Sequence, residues 1–131
     1  MKHLSTFSTL ILVNWGMIFA QNVTFTEDIA SIIFNNCTSC HREGEIGPMP
    51  LTNYQQIKDW GSMIEYVTSI NYMPPWTANP NYSEFLGERF LTDQEKDLIS
   101  QWVNCGMEEG PASALPPLPV FPDGSQVGIP D

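Results

Sequence analysis

Phe34-Asn-Asn-Cys-Thr-Ser-Cys-His-Arg-Glu-Gly44, or FNNCTSCHREG, is the stretch that decides how the rest of this chain is read. Two thiols stand three positions apart, and an imidazole follows the second directly. Upstream, Ile29, Ile32 and Ile33 recur at helical spacing, so a helix is predicted to run into Cys37. Thr26 is its expected N-cap, and Glu27 and Asp28 suit the positive end of the helix dipole. Downstream, Gly44, Gly47, Pro48 and Pro50 break the chain into a loop. The motif therefore lies at a helix-to-loop junction, with a rigid approach on one side and a chain free to fold back on the other.

Two more helices are predicted. One runs from about Tyr54 to Ile70, with Ile57, Trp60, Ile64 and Val67 on one face and Gly61 as its weak point. It stops before Pro74, because a proline disfavours helical geometry in the preceding Met73. An irregular stretch follows, from Trp76 to Leu91. The last helix starts at a capping box of Thr92 and Glu95 and ends at Gly106. Its apolar stripe is Leu98, Ile99, Trp102, Val103 and Cys105, which makes Cys105 an expected buried thiol. No strand pattern and no repeat appears, so the fold class is all-α. From Gly110 onward the last 22 residues hold six prolines, the composition of a linker or an extended tail.

The 131 residues suffice for one small domain. Residues 1–20 read as an export signal: Lys2, an apolar run from Leu4 to Ala20 broken by Asn14 and Gly16, and a small residue at the cleavage position. The alternative is an uncleaved anchor, but the run is shorter than the ~20 clean apolar residues of a spanning helix. The expected organisation is thus a signal over 1–20, a helical domain over 21–109 and a tail over 110–131. The product would be periplasmic or secreted, with no membrane span after cleavage.

The formal charge is −10, and beyond residue 20 only Arg42, Lys58, Arg89 and Lys96 oppose 15 acids. Such a surface repels phosphate backbones, so nucleic acid is excluded as a partner, and it steers toward basic protein surfaces. Three cysteines, an odd number, argue against a disulfide framework. A domain this small is short of core. A large apolar cofactor would supply one.

Cys37, Cys40 and His41 form C-x-x-C-H, the attachment pattern of c-type haem. Two thiols at this spacing can form thioethers with two vinyl groups, which leaves His41 beneath the iron. Three other readings compete. A redox-active dithiol wants a βαβ setting that the sequence lacks. A zinc site wants four ligands, and past the signal only Cys105 remains, with no second histidine. A Cys37–Cys40 disulfide would leave His41 unexplained. With haem as cofactor, a second iron ligand must come from Met49, Met63, Met73 or Met107. Met73 is preferred, because it lies in a proline-stiffened loop after a helix. The alternative is that Met73 fills the core and the iron stays five-coordinate, as in a sensor or peroxidase. Arg89 can pair with a haem propionate or remain a solvated cation. Trp76 can cover a haem edge and Tyr72 can bond a propionate, or both can be plain packing.

The order helix, CTSCH (37–41), loop, helix, Met loop, helix resembles the cytochrome c domain over about Val23 to Glu109. GPMPL (47–51), YMPPW (72–76) and ERFLTDQEKDLISQWVNCG (88–106) resemble the bacterial monohaem subgroup that precedes copper-dependent, ascorbate-type monooxygenase-like domains. The resemblance implies a single-electron carrier with a redox protein as partner, or a haem module feeding a copper domain. It implies that the Pro48 carbonyl takes the other N–H of His41, and that Trp102 crosses the first helix near Ile29 and Ile33. The end of the chain, FPDGSQVGIPD (121–131), resembles the linker into such a copper domain, which this sequence does not contain.

Overall fold

The computed structural model describes residues 22–76, 78, 82, 83 and 85–121. The expected export signal and the end of the tail lie outside these residues. Four α-helices make up the domain: α1 (Ala30–Asn36), α2 (Tyr54–Asp59), α3 (Gly61–Ser69) and α4 (Asp93–Asn104). A π-helical turn, Phe25–Ile29, leads into α1, and a single 3-10 turn, Ala112–Ala114, lies in the tail. Among the described residues there is no strand, and no helix is long and apolar enough to cross a membrane.

The cap position of the first helical segment lies two residues before the expected one. Thr24 is the extended residue before the turn, and its backbone N–H donates to Asp28 Oδ2 at 2.8 Å. Thr26 is buried inside the turn and caps nothing. A π turn is wider than an α turn. Here Ala30 N–H reaches back to the Phe25 carbonyl, and Phe25, Ile29 and Ile33 all end up buried. The Phe25 ring then packs 5.4 Å from Tyr54 and 6.1 Å from both Phe34 and Trp102. That aromatic knot joins α1, α2 and α4 in one core.

The single helix expected over Tyr54–Ile70 is two. Asn53 caps α2, its side chain accepting from Gln56 N–H at 3.0 Å. The chain bends at Trp60 and α3 resumes at Gly61. Gly61 is buried, and a Cβ there would collide with Met107 Sδ. The bend and the missing side chain let α3 lie close to α4. It ends where Asn71 takes a left-handed φ of 56° and the amides of Tyr72 and Met73 turn back to the Val67 carbonyl.

The last helix starts as expected, with both halves of the Thr92–Glu95 capping box made. Ile99 and Trp102 are buried against α3 and the π turn. Cys105 is exposed rather than buried, because the helix closes at Asn104 and the chain swings away through Gly106 at φ +100°. The stretch expected as a linker does not leave the domain at once. The carbonyls of Glu108 and Glu109 accept the Phe25 and Thr26 amides, each at 2.9 Å. Gly110 passes so close that a Cβ would stand 2.6 Å from the hydroxyls of Thr24 and Thr26. The tail then runs on to Phe121, whose ring lies 4.0 Å from the Arg42 guanidinium.

Candidate functional site

The motif is held by its own backbone. Cys37 N–H closes the last turn of α1 on the Ile33 carbonyl at 2.8 Å. The amides of Cys40 and His41 then both turn back to the Cys37 carbonyl, at 3.1 and 2.9 Å. This tight turn puts both thiols and the imidazole on the wall of one cavity of about 740 Å³. That volume falls in the ~300–1,000 Å³ range of cofactor and ligand sites. Cys37 and Cys40 are free thiols, and burial, reinforced by the neighbouring Cys40, pushes the Cys37 thiol up to about 12.

The following loop fixes the imidazole. Gly47 N–H donates to the Cys40 carbonyl at 2.9 Å and Leu51 N–H to the His41 carbonyl at 2.8 Å. This register turns the Met49 carbonyl onto His41 Nδ1 at 3.2 Å. A carbonyl can only accept, so Nδ1 carries a proton, and in the neutral imidazole the lone pair is then on Nε2. Such a bond is what commonly orients a metal-binding histidine. The expected acceptor was Pro48. The residue after it plays that part, because the two backbone bonds flanking the loop set which carbonyl faces the ring. Pro48 itself is cavity wall.

Met73, Trp76 and Arg89 line the same cavity as Cys37, Cys40, His41 and Pro48. Of the four methionine candidates, Met49, Met63 and Met73 line it, whereas Met107 packs against Gly61. Tyr72 is on the wall too. Arg89 is the cavity's one cation among the described residues, and no carboxylate lines it. Its Nη1 donates to Ser39 Oγ at 2.7 Å and stands 3.8 Å from Cys40 Sγ. The indole N–H of Trp76 is buried without a partner. An orphaned buried donor is costly, and it fits a ligand bearing an acceptor. Apolar walls, two thiols, one imidazole with Nε2 free, one thioether side chain, one guanidinium and one orphan N–H suit a large apolar iron-bearing group with carboxylates.

Sequence reasoning missed two parts of the site. Gly47 is one: a Cβ there would stand 2.6 Å from the Cys40 oxygen and 2.7 Å from His41 Nδ1. Its signal was the Gly-Pro pair, read as a loop breaker and as part of GPMPL but not as a residue that must lack a side chain. Ser39, the partner of Arg89, carried no signal at all. Among the described residues no cluster of three His, Cys, Asp or Glu side chains could hold a metal ion. No protein-family model, curated protein or solved structure matches this chain.

Proposed function

We propose that this chain is an exported, monohaem c-type cytochrome with a cytochrome c-like fold, carrying single electrons between redox proteins. The observation that carries it is CTSCH on a cavity wall, with the His41 Nδ1–H held by the Met49 carbonyl. Covalently bound haem would supply a one-electron iron couple. Cys37 and Cys40 would hold it by thioethers, and His41 Nε2 and Met73 Sδ would hold the iron. The Met49 carbonyl keeps the imidazole in one tautomer and one orientation. Arg89 and the Trp76 N–H offer donors to carboxylates inside a wall that is otherwise largely apolar. With His41 and Met73 both holding the iron, no substrate would reach it, and the function left would be electron transfer. The charge of −10 steers the chain to a basic docking surface on its partner.

The test is the absorption spectrum of the protein made with cytochrome c maturation machinery, oxidised and reduced, with and without carbon monoxide. A covalent low-spin haem, blind to carbon monoxide and showing the weak sulfur-to-iron band, is expected. Met73→Ala should abolish that band and open the iron to carbon monoxide. A wild-type haem that binds carbon monoxide at once would remove Met73 and favour a sensor or peroxidase. No covalent haem would end the proposal.

A further inference from the structure

Arg42 directly follows the motif, and no chemistry so far uses it. Its guanidinium makes four contacts at once. One nitrogen donates to the Thr38 carbonyl at 3.2 Å and to the Ser39 carbonyl, while the other pairs with Glu45 Oε1 at 2.6 Å. Its central carbon lies over the Phe121 ring, 4.0 Å from the ring centre. Thr38 and Ser39 are the two residues between the cysteines. Carbonyls of a tight turn that have no helical partner need donors, and here one side chain supplies them.

The fourth contact comes from further along the tail, at the last of its described residues. Gly110 is pinned at Thr24 and Thr26, where the first helical segment begins. Phe121 reaches Arg42, just past where that segment ends. Between Gly110 and Phe121 the tail thus runs the length of the segment, and its second tie falls on the residue that holds the motif's carbonyls.

We propose that Arg42 is a positioning residue for the Cys37–His41 turn and that the tail, through Phe121, clamps it in place. The proposal rests on the electron-carrier reading only for what the turn is for. A guanidinium stacked on a ring loses its freedom to swing into water, so its bonds to the turn persist. The prolines between the two ties stiffen the strap, because their φ angles are already fixed in the free chain. The tail then acts as part of the site's scaffold.

The experiment is residue-resolved hydrogen exchange on the full chain as recovered from export expression. Four amides report on the turn: Cys40 and His41, which bond to Cys37, with Gly47 and Leu51, which bond back to the motif. Phe121→Ala should speed their exchange about two- to fivefold, the equivalent of the ~0.5–1 kcal/mol of an exposed cation–ring contact. Amides in α4 should not change. Phe121→Trp should restore protection, since a larger ring keeps the stack. Arg42→Lys should not restore it, because an ammonium cannot span two carbonyls, a carboxylate and a ring together. Faster exchange in α4 by the same factor would reduce the strap to general stability and overturn the proposal. So would unchanged exchange at all four amides. If covalent haem is absent, the electron-carrier reading fails, and the exchange pattern still decides the clamp.

Discussion

Replacing Gly47 by alanine tests the geometry that orients His41. The added Cβ would stand 2.6 Å from the Cys40 carbonyl oxygen, 2.7 Å from His41 Nδ1 and 2.9 Å from His41 Cγ. Ordinary contacts to carbon lie at about 3.5–4.0 Å. None of the three atoms is the loose end of a flexible side chain, so the loop itself must retreat. It would take with it the Gly47 amide, 2.9 Å from the Cys40 oxygen, and the Met49 carbonyl, 3.2 Å from Nδ1. Overpacking of this kind costs about 1–3 kcal/mol, and each lost hydrogen bond adds about 1 kcal/mol. The expected loss is therefore about 2–4 kcal/mol, or at roughly 4–8 °C per kcal/mol a fall in Tm of about 10 °C or more. The control is Gly44→Ala: φ there is +81° and nothing lies within 4 Å, so only backbone strain is added, about 1–2 kcal/mol. Urea and thermal unfolding measure both, and imidazole nitrogen NMR reads the tautomer of His41. Gly47→Ala should lose the Nδ1–H signature and Gly44→Ala should keep it. If Gly47→Ala costs no more than Gly44→Ala and the ring signal stays, the loop does not hold the imidazole.

One more substitution and one labelling experiment follow from the same structure. Thr92→Ala removes a side chain that accepts from Glu95 N–H at 3.2 Å and donates to its carboxylate at 2.8 Å; the cost should be about 1 kcal/mol in urea unfolding, and an unchanged midpoint would mean that α4 is set by packing alone. In the haem-free chain the thiols should alkylate in a fixed order. Burial disfavours the thiolate, so with its pKa pushed up to about 12 Cys37 holds roughly a thousandfold less thiolate near neutral pH than an ordinary thiol. Exposed Cys105 should therefore react first with iodoacetamide at pH 8, and Cys37 should react only as pH rises toward 12 or as the chain unfolds. Labelling of Cys37 at the rate of Cys105 in the folded chain would contradict the burial argument.

The parts legible in the sequence are those whose causes are local. The Thr92–Glu95 box needs four consecutive residues, and it forms. Ile29, Ile33 and Trp102 reach the core because helical spacing alone puts them on one side. CTSCH is a contiguous motif, and Met73, Trp76 and Arg89 reach its cavity because the helices between them return the chain. The misses are of another kind. Trp60 lies on a good helical face, yet the helix breaks there so that Gly61 can approach α4 and Met107. Cys105 continues the stripe, yet the helix ends one residue before it. In both places tertiary packing overrides a sound periodic pattern.

The start of the first helical segment shows why such overrides leave no trace in a local window. The first N–H groups of any helix lack partners, and a sequence argument looks for a nearby side chain to cap them. Here the amides of Phe25 and Thr26 are capped by the backbone carbonyls of Glu108 and Glu109. A backbone carbonyl is present at every residue, so nothing in the composition marks those two as caps. What marks them is position: Trp102 Nε1–H also donates to the Glu108 carbonyl at 2.9 Å, and Tyr54 O–H donates to the Met107 carbonyl at 2.8 Å. The two large polar aromatics of the core thus pin the chain where it leaves α4, and the pinned carbonyls then serve the distant helix start. Thr26 was expected to cap because it was the nearest suitable side chain. It is displaced because the core's own aromatic donors bring a better acceptor from the other end of the domain. The same placement delivers Gly110 to Thr24 and sets the tail on its course toward Arg42. The site at CTSCH is in this way tied to the C-terminal end of α4 by packing.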